Sequence, residues 1–153
     1  MALKEPPPYV EGHGLIKGKS VLVTAAAGAG IGFAAARKAV EEGARGIVIS
    51  DIHEGRLEQA VENLKSLSGL EDVYGCLCNV TAESDVQGLV EFAEEKLGGI
   101  DILINNAGLG GTRLLVEMSD EEWDRVLDIT LTGTMRMTRA VLRRMQPLSL
   151  IHI

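Results

Sequence analysis

The sequence predicts an α/β protein built on a doubly wound parallel sheet, and three observations carry that expectation. Short apolar runs alternate with stretches of helical period from about residue 19 to residue 146. A turn rich in glycine, Gly28, Gly30 and Gly32, follows the first apolar run. Polar residues, Asp51, Asn79 and Asn105, close the later apolar runs. Alternating strands and helices joined by short links are closed most economically by right-handed βαβ units around a parallel sheet.

Residues 1–18 read as an N-terminal extension. Pro6-Pro7-Pro8 excludes regular helix, and Gly12, Gly14 and Gly18 loosen the rest of the segment, so the ordered domain is expected to begin at Lys19. Ser20 to Thr24 (SVLVT) is a short apolar run between glycines, as a strand buried on both faces should be. Residues 31–42 are Ala-rich and favour helix until Gly43. Gly46 to Ser50 (GIVIS) predicts the second strand, with Asp51 at its carboxyl end.

Leu57, Ala60, Val61, Leu64 and Leu67 form one apolar stripe and predict a helix over 54–67. Val73 to Cys78 predicts a third strand. Thr81 is expected to cap a helix over 83–97 whose Val86, Leu89, Val90, Ala93 and Leu97 face inward. Ile100 to Asn105 (IDILIN) predicts a fourth strand. Ser119 and Glu122 then form a capping box for one long helix carrying Trp123, Val126, Leu127, Met137, Ala140 and Val141, stopped by Pro147. Leu150 to Ile153 reads as the start of a fifth strand, so 19–153 is expected to be an incomplete domain, truncated near that strand.

Composition narrows the function. A chain of 153 residues suits one domain with a sizeable core. Its net charge of −7 argues against a nucleic-acid binder, which needs a positive face. No apolar run approaches membrane-spanning length and the N-terminus has no secretory pattern, so a cytoplasmic location without membrane partners is expected. Cys76 and Cys78, two apart on a strand, point to one face and read as buried thiols. His13, His53 and His152 have no ligand spacing, and Asp120, Asp124 and Asp128 read as a solvated helix face, so no metal site is expected.

The residues that point to a ligand lie at carboxyl ends of strands, where open α/β sheets bind. Gly28, Gly30 and Gly32 permit tight turning and close approach of backbone to a ligand. The helix starting near Gly30 and Ile31 aims unpaired N–H groups at that turn, where a pyrophosphate is stabilised. Asp51, 19 residues beyond Gly32, can accept bonds from both hydroxyls of an adenosine ribose. Its charge would repel the extra phosphate of NADP, so NAD is expected over NADP, with His53 and Arg56 near enough to weaken the preference. A helix-capping role for Asp51 is the structural alternative. Asn79 and Val80 occupy the same edge; the Asn79 amide suits an adenine edge or a turn cap. Asn105 and Asn106 can tie strand ends together, while Ala107 and Gly108 leave space for a flat ring system. No Gly-Lys-Ser/Thr follows the glycine turn, which argues against phosphoryl transfer.

With TAAAGAGIG at Thr24 to Gly32, Asp51, NVT at Asn79 to Thr81, NNAG at Asn105 to Gly108 and WDRVLDITLTG at Trp123 to Gly133, the chain resembles the short-chain dehydrogenase/reductase family over about residues 19–146. It looks most like actinobacterial members with a TAAAGxGIG loop that act on oxo or hydroxy groups of acyl-CoA or steroid-like metabolites. The resemblance implies a Rossmann-type fold and a nicotinamide cofactor. It places the pyrophosphate on Gly28, Gly30, Ile31 and Gly32, ribose on Asp51, adenine on Asn79 and Val80, and the nucleotide against Asn106, Ala107 and Gly108. It also implies a homodimer or homotetramer paired through long helices in the full-length form.

Three departures from the family pattern stand out. The glycine loop is one residue longer, with Ala25 where Gly follows Thr, and Gly28 is expected to supply the flexibility for the bulge. Asn79 replaces an Asp. Thr130 stands where the family commonly has an Asn that anchors a water of the proton relay; helix packing is the leading reading of Thr130 and a surviving relay role the alternative.

The family moves the carbinol proton with a Tyr, a Lys four residues later and a Ser. Here Tyr9 is followed at 13 by His and Tyr74 at 78 by Cys, so no Tyr-x-x-x-Lys exists and no catalytic residue is assigned. The expected function is an NAD(P)-dependent oxidoreductase interconverting a secondary alcohol and a ketone, with these 153 residues binding cofactor at best. A non-enzymatic nucleotide-binding or assembly module is the alternative.

Overall fold

The computed structural model describes residues 8–110 and 113–145. Four parallel strands form one sheet in the order β3-β2-β1-β4: β1 Ser20–Val23, β2 Gly46–Asp51, β3 Val73–Leu77 and β4 Ile102–Ile104. Val21 of β1 pairs with Ile47 on one side and Ile102 on the other. The chain therefore winds outward from β1 to β3 and returns across β1 to add β4. That reversal opens a crevice at the carboxyl ends of β1 and β4, the usual ligand position in such sheets. The Rossmann-type doubly wound sheet agrees with the sequence reading; the expected fifth strand at Leu150 to Ile153 and the stop at Pro147 lie outside the described residues.

Alternation along β1 builds both cores. Val21 and Val23 face α1 (Ile31–Glu41) and α2 (Glu54–Ser68), against Ala36, Ala39, Leu57 and Leu64. Leu22 faces the other way, into Val86, Leu89 and Val90 of α3 (Glu83–Leu97) and Met137 and Val141 of α5 (Gly133–Met145). All four β1 residues are buried, which explains why the strand is continuously apolar after its first residue. Ser20 escapes the cost of burial by bonding Asp101, whose carboxylate accepts its N–H at 2.9 Å and its hydroxyl at 3.0 Å. Burial pushes the Asp101 carboxyl up, but those bonds from Ser20 and the neighbouring Lys19 ammonium hold it below its ordinary value.

The capping box is present: Ser119 Oγ accepts from Glu122 N–H at 3.3 Å, and Glu122 Oε2 accepts from Ser119 N–H at 3.2 Å. The single long helix is present over residues 120–145 with one irregularity. α4 (Asp120–Leu127) widens into a π turn over Asp128–Thr132 before α5 begins. Ile129, within the π turn, borders the crevice and packs against the same core that Met137, Ala140 and Val141 enter. Thr134 Oγ1 donates to the Thr130 carbonyl at 2.7 Å, satisfying an oxygen in the widened turn.

Two further expectations change. No side chain caps α3; its N-cap is Ala82, and Thr81 instead donates from N–H and hydroxyl to Asn79 Oδ1 at 3.1 and 2.9 Å. The segment ahead of β1 is also tied down. The Glu42 carboxylate, after α1, accepts from the N–H groups of His13 at 2.8 Å and Leu15 at 3.0 Å and pairs with Lys38 at 3.1 Å. These donors hold the Glu42 carboxyl down at about 2.

Candidate cofactor-binding site

The site begins where β1 ends. Thr24 is buried, and its hydroxyl oxygen accepts from the N–H groups of both Asn106 and Ala107 at 2.9 Å. Asn106 Nδ2 returns two bonds, to the Thr24 carbonyl at 3.1 Å and the Ala25 carbonyl at 2.9 Å. Asn105 Nδ2 reaches α5 instead, donating to Thr138 Oγ1 at 3.0 Å. The paired asparagines thus lace the loop after β4 to the loop after β1 and to the long helix, as their position in the sequence suggests. Thr24 is the partner that sequence reasoning missed; its signal was a buried hydroxyl residue closing an apolar strand.

The longer glycine loop turns at Ala25, not at Gly28. Ala25 has φ +52°, the sole non-glycine among the described residues in the left-handed region. A Cβ crowds the backbone there, costing an L-residue about 1–2 kcal/mol. The loop tolerates this because the Ala25 carbonyl is fixed by Asn106.

The three glycines have different roles. Gly32 is buried in the first turn of α1, where an added Cβ would fall 2.4 Å from Asn106 Nδ2 and 2.5 Å from the Ala25 carbonyl oxygen. Its lack of a side chain brings the helix against the loop. Gly30, the N-cap of α1, faces open space, with no heavy atom within 4 Å of an added Cβ. Gly28 meets only the Gly30 nitrogen, at 3.9 Å. No side chain caps α1 and no acidic residue lies in its first turn, so its positive end stays open toward this space. Ile31 is 82% exposed beside it, a large apolar side chain left uncovered at the helix start.

Asp51 ends β2 with both carboxylate oxygens engaged: Oδ2 accepts from Ala27 N–H at 3.3 Å and Oδ1 from His53 N–H at 3.1 Å. It therefore closes the glycine loop and the turn before α2. Across the crevice a cavity of about 170 Å³ is lined by Asp51, Asn79, Val80, Ala107 and Gly108, together with Ile52, Arg125 and Ile129, which were not anticipated. Asn79 takes the turn-capping role at its Oδ1. Val80 is buried beneath the cavity, packed where Gly133 of α5 has no side chain. Burial pushes the Cys78 thiol up to about 12, so it lines the cavity as an unreactive apolar group.

Thr130 has a role that sequence reasoning did not foresee. Its hydroxyl oxygen accepts from Leu109 N–H at 3.1 Å and so pins the far end of the NNAG loop to the π turn. Neither tyrosine is tuned for base chemistry. Tyr9 donates to the Glu41 carboxylate and Tyr74 to Asp72, and these partners raise both phenols above their ordinary value. Among the described residues, no three His, Cys, Asp or Glu side chains are placed to hold a metal ion. No described helix is long and apolar enough to cross a membrane.

A strand-end crevice laced by NNAG and faced by an open helix start agrees with a family match over residues 19–149, described as short chain dehydrogenase. The chain belongs to the short-chain dehydrogenase family. It is 50% identical over 143 residues to (5R,7aS)-5-hydroxy-7a-methyl-1-oxo-2,3,5,6,7,7a-hexahydro-1H-indene-carboxyl-CoA reductase of Mycobacterium tuberculosis, covering 94% of this chain and 54% of that protein. It superposes on a short chain dehydrogenase from Mycobacterium smegmatis with a TM-score of 0.89 at 53% identity, covering 94% of this chain and 59% of that one. An actinorhodin polyketide ketoreductase variant with NADPH gives a TM-score of 0.79 at 32% identity, covering 86% and 49%. The chain spans about half the length of the relatives it matches.

The expectation of NAD over NADP is corrected. A solved relative carries NADPH, and the geometry explains why Asp51 is a poor guide. Its carboxylate is committed to two backbone N–H groups, and Arg56 lines the hollow on the other side of the glycine loop with Ala27, Gly28 and Ala29. The charge that was expected to repel a ribose phosphate is partly spent on holding the loop.

Proposed function

We propose that this chain binds a nicotinamide dinucleotide, NAD(P), for an oxidoreductase that interconverts a secondary alcohol and a ketone. One observation carries the reading. Gly30 and Gly28 leave open space directly before an uncapped helix start, a cradle that a Cβ would fill and that suits a diphosphate. Gly28, Gly30, Ile31 and Gly32 would hold the diphosphate and the adjoining ring. Asp51 would meet the ribose with the lone pairs its backbone bonds leave over, and Asn79 and Val80 would border adenine in the cavity. Asn106, Ala107 and Gly108 would set the height of the opposite wall. When bound, the cofactor supplies the hydride chemistry; these residues bind and orient it.

The likeness to the indene-carboxyl-CoA reductase supports a bulky substrate of the acyl-CoA or steroid-like class. A cytoplasmic enzyme assembled from two or four copies is consistent with the reading. Isothermal titration with NAD and NADP tests it: saturable one-site binding of either dinucleotide is expected. Absence of binding by a folded chain would leave only the assembly-module reading.

A further inference from the structure

We infer that Arg125 clamps the adenine ring of the dinucleotide by laying its guanidinium against the purine face, an inference that rests on the cofactor-binding reading above. The cavity beside Asn79 has apolar walls from Ile52, Val80 and Ile129, and Arg125 is its one cationic lining residue. Arg125 stands in the last turn of α4 and is exposed. It also borders the adjoining hollow shared with Thr81 and Asp128, which puts it at the cavity rim.

Helical spacing offers Arg125 the carboxylates of Glu121, Glu122 and Asp128, and none of the three pairs with it. Glu122 pairs with Arg113 at 3.1 Å and accepts from Ser119 N–H at 3.2 Å. Asp128 pairs with Arg136 at 2.8 Å. No carboxylate among the described residues lies within 4 Å of the Arg125 guanidinium. A planar cation without an anionic partner, at the edge of an apolar slot, matches the face of a heteroaromatic ring. A phosphate in the same slot would lie against the apolar side chains of Ile52, Val80 and Ile129, which offer it no hydrogen-bond donor. The chemistry therefore favours the purine ring over a phosphate.

Arg125→Ala, Arg125→Lys and the parent chain, each titrated with NAD and with NADP, test the clamp. Because Arg125 is exposed and unpaired, both variants should melt at the parental temperature, which circular dichroism checks. The expected result is a loss of about 5-fold for both dinucleotides in Arg125→Ala, with Arg125→Lys recovering less than half of it. Unchanged affinity in Arg125→Ala, while the parent binds, would overturn the clamp and leave the cofactor reading standing. Full rescue by Arg125→Lys, or a loss confined to NADP, would mark a point-charge contact to phosphate and also overturn it. A folded parent that binds neither dinucleotide would remove the cofactor reading and the clamp together.

Discussion

Replacing Gly32 by Ala asks whether the glycine loop and the NNAG loop are one unit. In an ordinary helix the change would stabilise by up to about 1 kcal/mol, since Gly is a poor helix former. Here the new Cβ would fall 2.4 Å from Asn106 Nδ2 and 2.5 Å from the Ala25 carbonyl oxygen. Asn106 must move, and with it the bonds from Nδ2 to the Thr24 and Ala25 carbonyls. Each bond contributes about 1 kcal/mol, and overpacking a filled site costs about 1–3 kcal/mol. Set against the helix gain, the net loss is about 2–4 kcal/mol, a fall in melting temperature on the order of 10 °C for a chain of this size. Thermal denaturation followed by circular dichroism reads it. Gly30→Ala is the control, since its Cβ meets nothing within 4 Å; it should cost about 1 kcal/mol or less as an N-cap change while weakening dinucleotide binding. A Gly32→Ala chain that melts at or above the parental temperature would refute the lacing of the two loops.

Other perturbations read other parts of the molecule. Ala25→Gly should stabilise by about 0.5–1 kcal/mol in urea denaturation, because it relieves the left-handed strain at φ +52° at some entropic cost in the unfolded chain; destabilisation would mean that the turn lies elsewhere. The Glu42 carboxyl is depressed to about 2 from 4.5, so its contribution is present above pH 4.5 and lost as pH falls toward 2. NMR amide shifts of His13 and Leu15 should move across that window in the parent and stay flat in Glu42→Gln; parental movement retained in the variant would contradict the assignment. Because Tyr9 and Tyr74 are held by carboxylates and no Tyr-x-x-x-Lys occurs, these 153 residues alone should show no alcohol- or ketone-dependent turnover of NAD(P) or NAD(P)H in an absorbance assay. Measurable turnover would call for a different proton carrier.

β1 and β2 were legible because they are buried on both faces and so must be apolar nearly throughout, the half-buried edge strands β3 and β4 because short apolar runs between helices fit the alternation, and α2 and α3 because one face of each meets the sheet. Asp51, Asn79 and the NNAG run were legible as a group, since polar residues after buried strands collect at one edge. The π turn between α4 and α5 was not legible, because one extra residue in a helical turn leaves composition unchanged. Ala25 was unreadable for the opposite reason, as a left-handed turn is expected at a glycine and Gly28 was available. The tie between Glu42 and the segment ahead of β1 uses backbone N–H groups as partners, and those carry no sequence signal. The NAD preference drawn from Asp51 treated its carboxylate as uncommitted, whereas it binds Ala27 and His53. Arg125 escaped notice, and the bond that Thr130 accepts from Leu109 N–H was not foreseen, because both depend on which residues stand across the crevice.

Mapping backbone amide shifts of the isotopically labelled chain during titration with NADP or NAD tests most directly whether the glycine cradle holds the diphosphate. The N–H signals of Gly28, Gly30, Ile31 and Gly32 should move most, with smaller movements at Ala107 and Gly108. Saturable binding that leaves those amides in place and shifts another surface would contradict the account.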